Sequence, residues 1–294
     1  MQSHSTARRT ALNVSLAALL LAAGKGVVGL FSGSVAVLSS ALDSAGDALS
    51  SFVNFLLLTV ASKPPDEDHP FGHGKAEHLA AMLQGTVMLA GSVALGIGAI
   101  RRIRQPEPVE ASLLAIGTMI ASVFATIFIA RYLKRSATTN ESTALAGDAL
   151  HYTSDILANV ATIAALALAR WTGNTMFDSI FGVSVAFWIA WNAVNLIWLS
   201  ANDLMDVALP TEEIDAIVDA IEKTEGAIVG HRELRTRRAA GVRFIEFELL
   251  IDRTVSFEEA HDATEAVKAA IHQRLPRTVV TVHAEPVCKL KIEN

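Results

Sequence analysis

Cysteine is nearly missing from this sequence: Cys288 is the single thiol among 294 residues. One thiol builds no internal disulfide framework and gives no sign of an oxidising compartment. Charge is sparse as well. Asp, Glu, Lys and Arg make up 18% of the chain, against about 25% for an ordinary soluble domain. The net charge of −6 argues against a nucleic-acid surface, which wants clustered Lys and Arg. No G-x4-G-K-[ST] loop is present, so nucleotide-driven chemistry has no phosphate cradle to work from. No nucleophile–base motif is recognisable, which leaves no support for an enzyme.

What the chain has instead is apolar length. Hydrophobic residues reach 51% and the mean hydropathy is +0.39. The distribution is uneven. Residues 1–205 carry long apolar runs, and residues 206–294 read as a charged soluble domain. A membrane-spanning helix takes about 20 mostly apolar residues, because each residue rises about 1.5 Å across a core of about 30 Å. Leu79–Ile100, Ala111–Ala130 and Ser179–Asn202 have no charged residue at all. Ala11–Phe31 is interrupted by Lys25, Gly33–Ser62 holds Asp43 and Asp47, and Ser142–Ala169 holds Asp148, His151 and Asp155. The expectation is a six-helix membrane bundle. With both termini in the cytoplasm, the inner loops carry Arg8, Arg9, Lys63, Lys75, Arg131, Lys134 and Arg135, and the outer loops carry Arg101, Arg102, Arg104 and Arg170. That bias follows the positive-inside rule.

Ionisable side chains in a bilayer are costly and mark functional paths. Asp43 and Asp47 are four apart, so they share a helix face. Ser50, Ser51 and Asn54 extend it. In the fifth span Asp148, His151, Asp155 and Asn159 make a second polar stripe. Facing each other, the two stripes would gather Asp43, Asp47, His151 and Asp155. Four nitrogen and oxygen ligands suit tetrahedral zinc and also ferrous iron. The lack of thiolate disfavours copper(I), and the lack of an all-oxygen cage disfavours calcium and magnesium. The serines and asparagines read as bonds between helices, and Asp148 reads as a supporting group or helix-entry residue. The hexamers "SAGDAL" (44–49) and "LAGDAL" (145–150) echo each other across the two spans. Between spans two and three, the segment "PPDEDHPFGHGKAEH" crowds Asp66, His69 and His73 into a loop broken by Pro and Gly. It reads as a second metal site.

"ALDSAGDALSSFVN", "PDEDHPFGHGKAEHLAAM" and "GDALHYTSDILANV" resemble the cation diffusion facilitator family, closest to its bacterial zinc and ferrous-iron efflux members. The resemblance covers nearly the whole chain. It implies a homodimer in the inner membrane that exchanges cytoplasmic metal for protons. It implies transport ligands Asp43, Asp47, His151 and Asp155, a loop site at Asp66, His69 and His73, and a contact between Lys75 and Asp206 at the dimer surface. It also implies metals bound between the C-terminal domains. There this chain offers His261, His283 and Glu285, with Glu248 and Arg232 where relatives have His, and His231 one residue away as a substitute. A passive metal-gated channel and a membrane-anchored metal sensor remain open as alternatives.

Residues 211–294 read as an αββαβ, metallochaperone-like domain. Thr211 is expected to cap the first helix and Ser256 the second, each ahead of an acidic first turn. "RFIEFELLID" alternates as a strand and "TVVTVHAEP" closes the sheet.

Overall fold

A computed structural model describes residues 2–33, 35–104, 113–172, 176–239 and 241–288. It forms two compact units, one ending at Ala201 and the other starting at Asn202. Among the described residues, six long helices come first: α1 (Gln2–Ser32), α2 (Val35–Ala61), α3 (Ala76–Arg104), α4 (Leu113–Asn140), α5 (Thr143–Thr172) and α6 (Met176–Leu204). Four of them, α1, α2, α3 and α6, contain stretches long and apolar enough to cross a membrane. At 28 and 30 residues, α4 and α5 also have the length to span. The first two residues of the Ala111–Ala130 segment and the side chains of Arg104 and Arg170 lie outside the described residues.

The helices run past their apolar stretches, which revises the loop assignment of the basic residues. Arg8 and Arg9 lie on the first turns of α1, Arg101 and Arg102 on the last turn of α3, and Arg131, Lys134 and Arg135 on α4. A helix satisfies its own backbone, so it can continue beyond the hydrocarbon while long basic side chains reach out to water. Leu20, Leu42, Phe128, Phe187 and Trp191 are exposed on the outside of the helices, where lipid would cover them.

Small residues dominate the interior of this unit. Ala7, Ala11, Val14 and Ala18 form one buried stripe of α1, and Ala130, Leu133, Ala137, Leu145 and Ala149 belong to the same cluster. Short side chains let helix backbones approach closely, which compensates for the weak hydrophobic drive between helices in lipid. Gly85 marks one such approach: a Cβ there would come within 2.8 Å of Ile197 and 3.1 Å of the Ala193 carbonyl. Thr10 and Ser136 add a buried hydroxyl bond of 2.8 Å.

The C-terminal unit follows as α7 (Thr211–Glu222), β1 (Ile228–Ala239), β2 (Val242–Asp252), α8 (Phe257–Arg274) and β3 (Thr278–Val287). The sheet order is β1-β2-β3, with β1–β2 antiparallel and β2–β3 parallel. Ile245, Phe247, Leu249 and Ile251 of β2 alternate into a core with Ile217 and Ile221 of α7 and Val267 and Ile271 of α8. Ser256 caps α8 in a reciprocal capping box with Glu259. Thr211 does not cap α7. The cap is Pro210, without a side-chain bond, and its carbonyl accepts from Glu213 N at 2.9 Å and Ile214 N at 3.0 Å. The proline's fixed φ already suits the helix entry.

Candidate metal centre

Helices α2 and α5 bring one imidazole against two carboxylates. His151 Nε2 lies 3.1 Å from Asp47 Oδ1 and 3.8 Å from Asp155 Oδ2. Three ligand atoms, one from each of Asp47, His151 and Asp155, lie within 4.8 Å of one another. The i, i+4 spacing on α5 stacks His151 over Asp155 on one face. His151 is only 13% exposed, and Asp155 Oδ2 is buried without a hydrogen-bond partner. A buried acceptor left unsatisfied is costly, so this oxygen is available to a cation. Asp43, one turn before Asp47, is outside the three-ligand group. It lines the same cavity of about 450 Å³, together with Asn159, Tyr152 and Lys25. The sequence reading gave Lys25 no role. An ionisable residue inside an apolar run was the signal for it.

The polar residues behind the cluster tie the helices together. The Ser51 hydroxyl lies 3.1 and 3.3 Å from the two carboxylate oxygens of Asp148 and 3.0 Å from the Tyr152 hydroxyl. Asp148 is 0% exposed and so acts as an anchor for α2, away from the ligand group. Ser50 donates to Gln84 Oε1 at 2.6 Å. Asn54 donates to the Ala144 carbonyl at 3.3 Å, close to where Ser142 accepts from Leu145 N at 3.3 Å and starts α5. These bonds fix the register that sets Asp47 beside His151.

Asp66, His69 and His73 form a second group of three ligand atoms within 4.8 Å. Asp66 lies 3.4 Å from each imidazole, at His69 Nδ1 and at His73 Nε2. The His69 backbone N–H donates to Asp66 Oδ1 at 2.8 Å, and that bond holds the carboxyl below its usual range. The loop turns through Gly72, whose φ of +82° few other residues adopt. His73 Nδ1 is buried without a partner. Two imidazoles and a carboxylate are a donor set that fits zinc or ferrous iron.

Residues 12–205 match the cation efflux transmembrane domain, and residues 209–287 match the cation efflux protein cytoplasmic domain. The chain belongs to the cation efflux family. It is 34% identical over 278 residues to the cation-efflux pump FieF of Cronobacter sakazakii, covering 95% of this chain and 92% of the relative. It is 33% identical over 254 residues to FieF of Yersinia pestis strain Pestoides F, covering 86% and 84%. The solved structure of CzrB aligns with 27% of this chain and 99% of its own at 32% identity and a TM-score of 0.26. MamM-CTD aligns with 26% and 96% at 28% identity and a TM-score of 0.25. This cation efflux protein is thus a membrane transporter with a cytoplasmic C-terminal domain.

In that cytoplasmic domain the five expected ligands do not converge within one chain. Arg232, Glu248 and His283 stand in a row across β1, β2 and β3. Arg232 Nε pairs with Glu248 Oε2, and Arg232 Nη2 lies 3.9 Å from Glu285. Glu285 also lies 3.5 Å from His283. His231 pairs with Leu249, a core residue, so strand alternation puts it on the opposite face. His261 sits on α8 in a recess with Val282, Ala284 and Pro286, which alternate with His283 and Glu285. The cation on this face is a guanidinium. Arg232→Ala is therefore expected to expose a weak site at Glu248, His283 and Glu285. Equilibrium dialysis of the full-length protein should then show additional zinc bound per chain. An unchanged stoichiometry would mean that these three groups hold no metal even without Arg232. Asp206, at the domain's start, lies 3.5 Å from Arg237.

Proposed function

We propose that this transporter exports a divalent transition-metal ion, zinc or ferrous iron, from the cytoplasm in exchange for protons. Cadmium and manganese are further candidate substrates. The observation that carries this reading is the approach of Asp47, His151 and Asp155 to within 4.8 Å of one another in an apolar helix bundle. Two carboxylates and an imidazole can neutralise and coordinate a dication, which then offsets their desolvation. Asp43, lining the same cavity, is the candidate fourth ligand.

The geometry also supports proton exchange. A proton on His151 Nε2 points at Asp47, and Asp155 lies beside it. A metal bound by the three groups must take the place of that proton. Metal and proton therefore compete for one position, and each drives the other off. Imidazole is the side chain whose unperturbed titration falls between pH 5 and 8, so it suits the task. The loop group Asp66, His69 and His73 would hold a second metal at the membrane surface, and the C-terminal domain would be the regulatory and dimerisation unit. The protein would work as a homodimer in the inner membrane, with both termini cytoplasmic. Lys75 and Asp206 would belong to the dimer contact, and His261, His283, Glu285, Glu248 and His231 would join any metal only across two chains.

The test is flux. Zinc uptake into inverted vesicles is expected to rise with an imposed pH gradient and to stop when a protonophore dissipates it. Uptake indifferent to the gradient would indicate a passive channel, and saturable binding without uptake would indicate a sensor.

A further inference from the structure

Lys25 lies well inside α1, in an apolar run, and its ammonium points into the transport cavity. It donates to Ser44 Oγ at 2.8 Å and Ser40 Oγ at 3.1 Å, both on α2. Asp43, Asp47 and Asp155 line the same cavity. Buried lysines in membranes usually pair with a carboxylate. Here the ammonium rests on two hydroxyls, while Asp155 Oδ2 has no hydrogen-bond partner. A lysine has a flexible four-carbon stem and a compact charge, so it can exchange one set of acceptors for the other.

We propose that Lys25 is a tethered cation of the transport site. With metal bound, it stays on Ser40 and Ser44. When the metal leaves, it turns toward the freed carboxylates and offsets part of their charge during the return. Its repulsion of the bound dication also keeps metal affinity low enough for release. This inference rests on the proposed metal-transport reading and adds to it a residue that sets affinity and turnover. A role limited to tying α1 to α2 predicts something different, since loss of that tie would loosen the cavity and weaken binding.

The experiment titrates zinc into full-length protein in detergent by calorimetry, in an Asp66→Ala/His69→Ala background that removes the loop site. Lys25→Met is expected to bind zinc about tenfold tighter or more, because a like charge near a dication in a medium of reduced dielectric is worth at least that much. Its turnover in vesicles should fall by a similar factor as release slows. Lys25→Arg should restore most of the wild-type behaviour. Ser40→Ala/Ser44→Ala frees the ammonium for the carboxylates and should weaken zinc binding. A structural tie weakens binding in both variants, so the opposite signs taken together separate the two roles. Lys25→Gln keeps an N–H donor for Ser40 and Ser44 without the charge, and it carries the test if Lys25→Met is not monodisperse. Tighter zinc binding is expected of it, and unchanged or weaker binding overturns the proposal. Unchanged or weaker binding by Lys25→Met, or unchanged or tighter binding by the double serine variant, overturns the proposal. If Asp47→Ala still abolishes binding in that case, the transport reading stands. Absence of saturable zinc binding by the Lys25 parent protein overturns both.

Discussion

Asp47→Ala and Asp155→Ala are each expected to lower zinc transport about 100-fold or more while the protein still inserts and purifies as wild type. Positioning groups behind a metal's ligands are worth about 10- to 100-fold in affinity, and a charged ligand that touches the ion exceeds them. Loss of either carboxylate takes away one of the charged ligands that hold a dication away from water. The remaining Coulomb attraction no longer offsets the ion's dehydration. The fold should tolerate the change. Asp47 is part-exposed to the cavity and bonds His151, whereas the bonds that tie α2 to its neighbours come from Ser50, Ser51 and Asn54. Asp43→Ala serves as the internal contrast. Its carboxylate, the candidate fourth ligand, lines the cavity without joining the three atoms that already converge, so its loss should cost less than theirs, about tenfold. Uptake in inverted vesicles, normalised to monodisperse protein, reads all three. Wild-type uptake by Asp47→Ala would remove the transport assignment, and wild-type uptake by Asp43→Ala would remove Asp43 from the ligand set.

The site was legible because membrane helices leave polar residues few reasons to exist. Spacings of four on α2 and α5 showed which acids share a face, and the facing pair follows once the helices pack. The echo of "SAGDAL" and "LAGDAL" would have misled on its own. It aligns Asp47 with Asp148, yet Asp47 meets His151 while Asp148 is buried under Ser51. Which acid lines a cavity and which one holds a neighbour depends on helix rotation, and the alignment does not contain it. Lys25 was visible as an interruption in α1, but its partners Ser40 and Ser44 sit on another helix. In the cytoplasmic domain the alternation of β2 was clear, and the Arg232–Glu248–His283 row was not. Cross-strand register depends on pairing across three strands, and His231 fell on the wrong face for that reason. The helix overhangs were missed because hydropathy reports where lipid ends, and backbone hydrogen bonding continues beyond it.

Glu213→Ala is expected to destabilise the cytoplasmic domain by about 2–3 kcal/mol, somewhat below the 3–5 kcal/mol typical of breaking a buried ion pair, because Glu213 keeps partial contact with water. Arg243 on β2 is 9% exposed and Glu213 on α7 is 20% exposed. They meet in a two-pronged pair, Nε to Oε2 at 2.8 Å and Nη2 to Oε1 at 2.9 Å. Arg243 also donates to the Pro276 carbonyl at 3.3 Å. Removing Glu213 takes both carboxylate bonds from a buried guanidinium and leaves Arg238 nearby, which lies 4.0 Å from Glu213 in the intact domain. Replacing both members, Glu213→Leu with Arg243→Leu, should cost less than the single change, since the buried charge leaves together with its carboxylate. The pair also sets a pH dependence. The bonds from Arg243 hold the Glu213 carboxyl below its usual value. A depressed carboxyl gives stability that is present above the unfolded value of about 4.5 and is lost as pH falls through the folded value. Hydrogen exchange at Ile245 and Leu249 of β2 in the full-length protein measures both effects. Glu213→Ala should speed exchange roughly 30- to 150-fold at neutral pH, at about 1.4 kcal/mol per tenfold. The gap between wild type and variant should close below pH 4.5. A gap that persists there would place the stabilisation in packing and not in the charge of the pair.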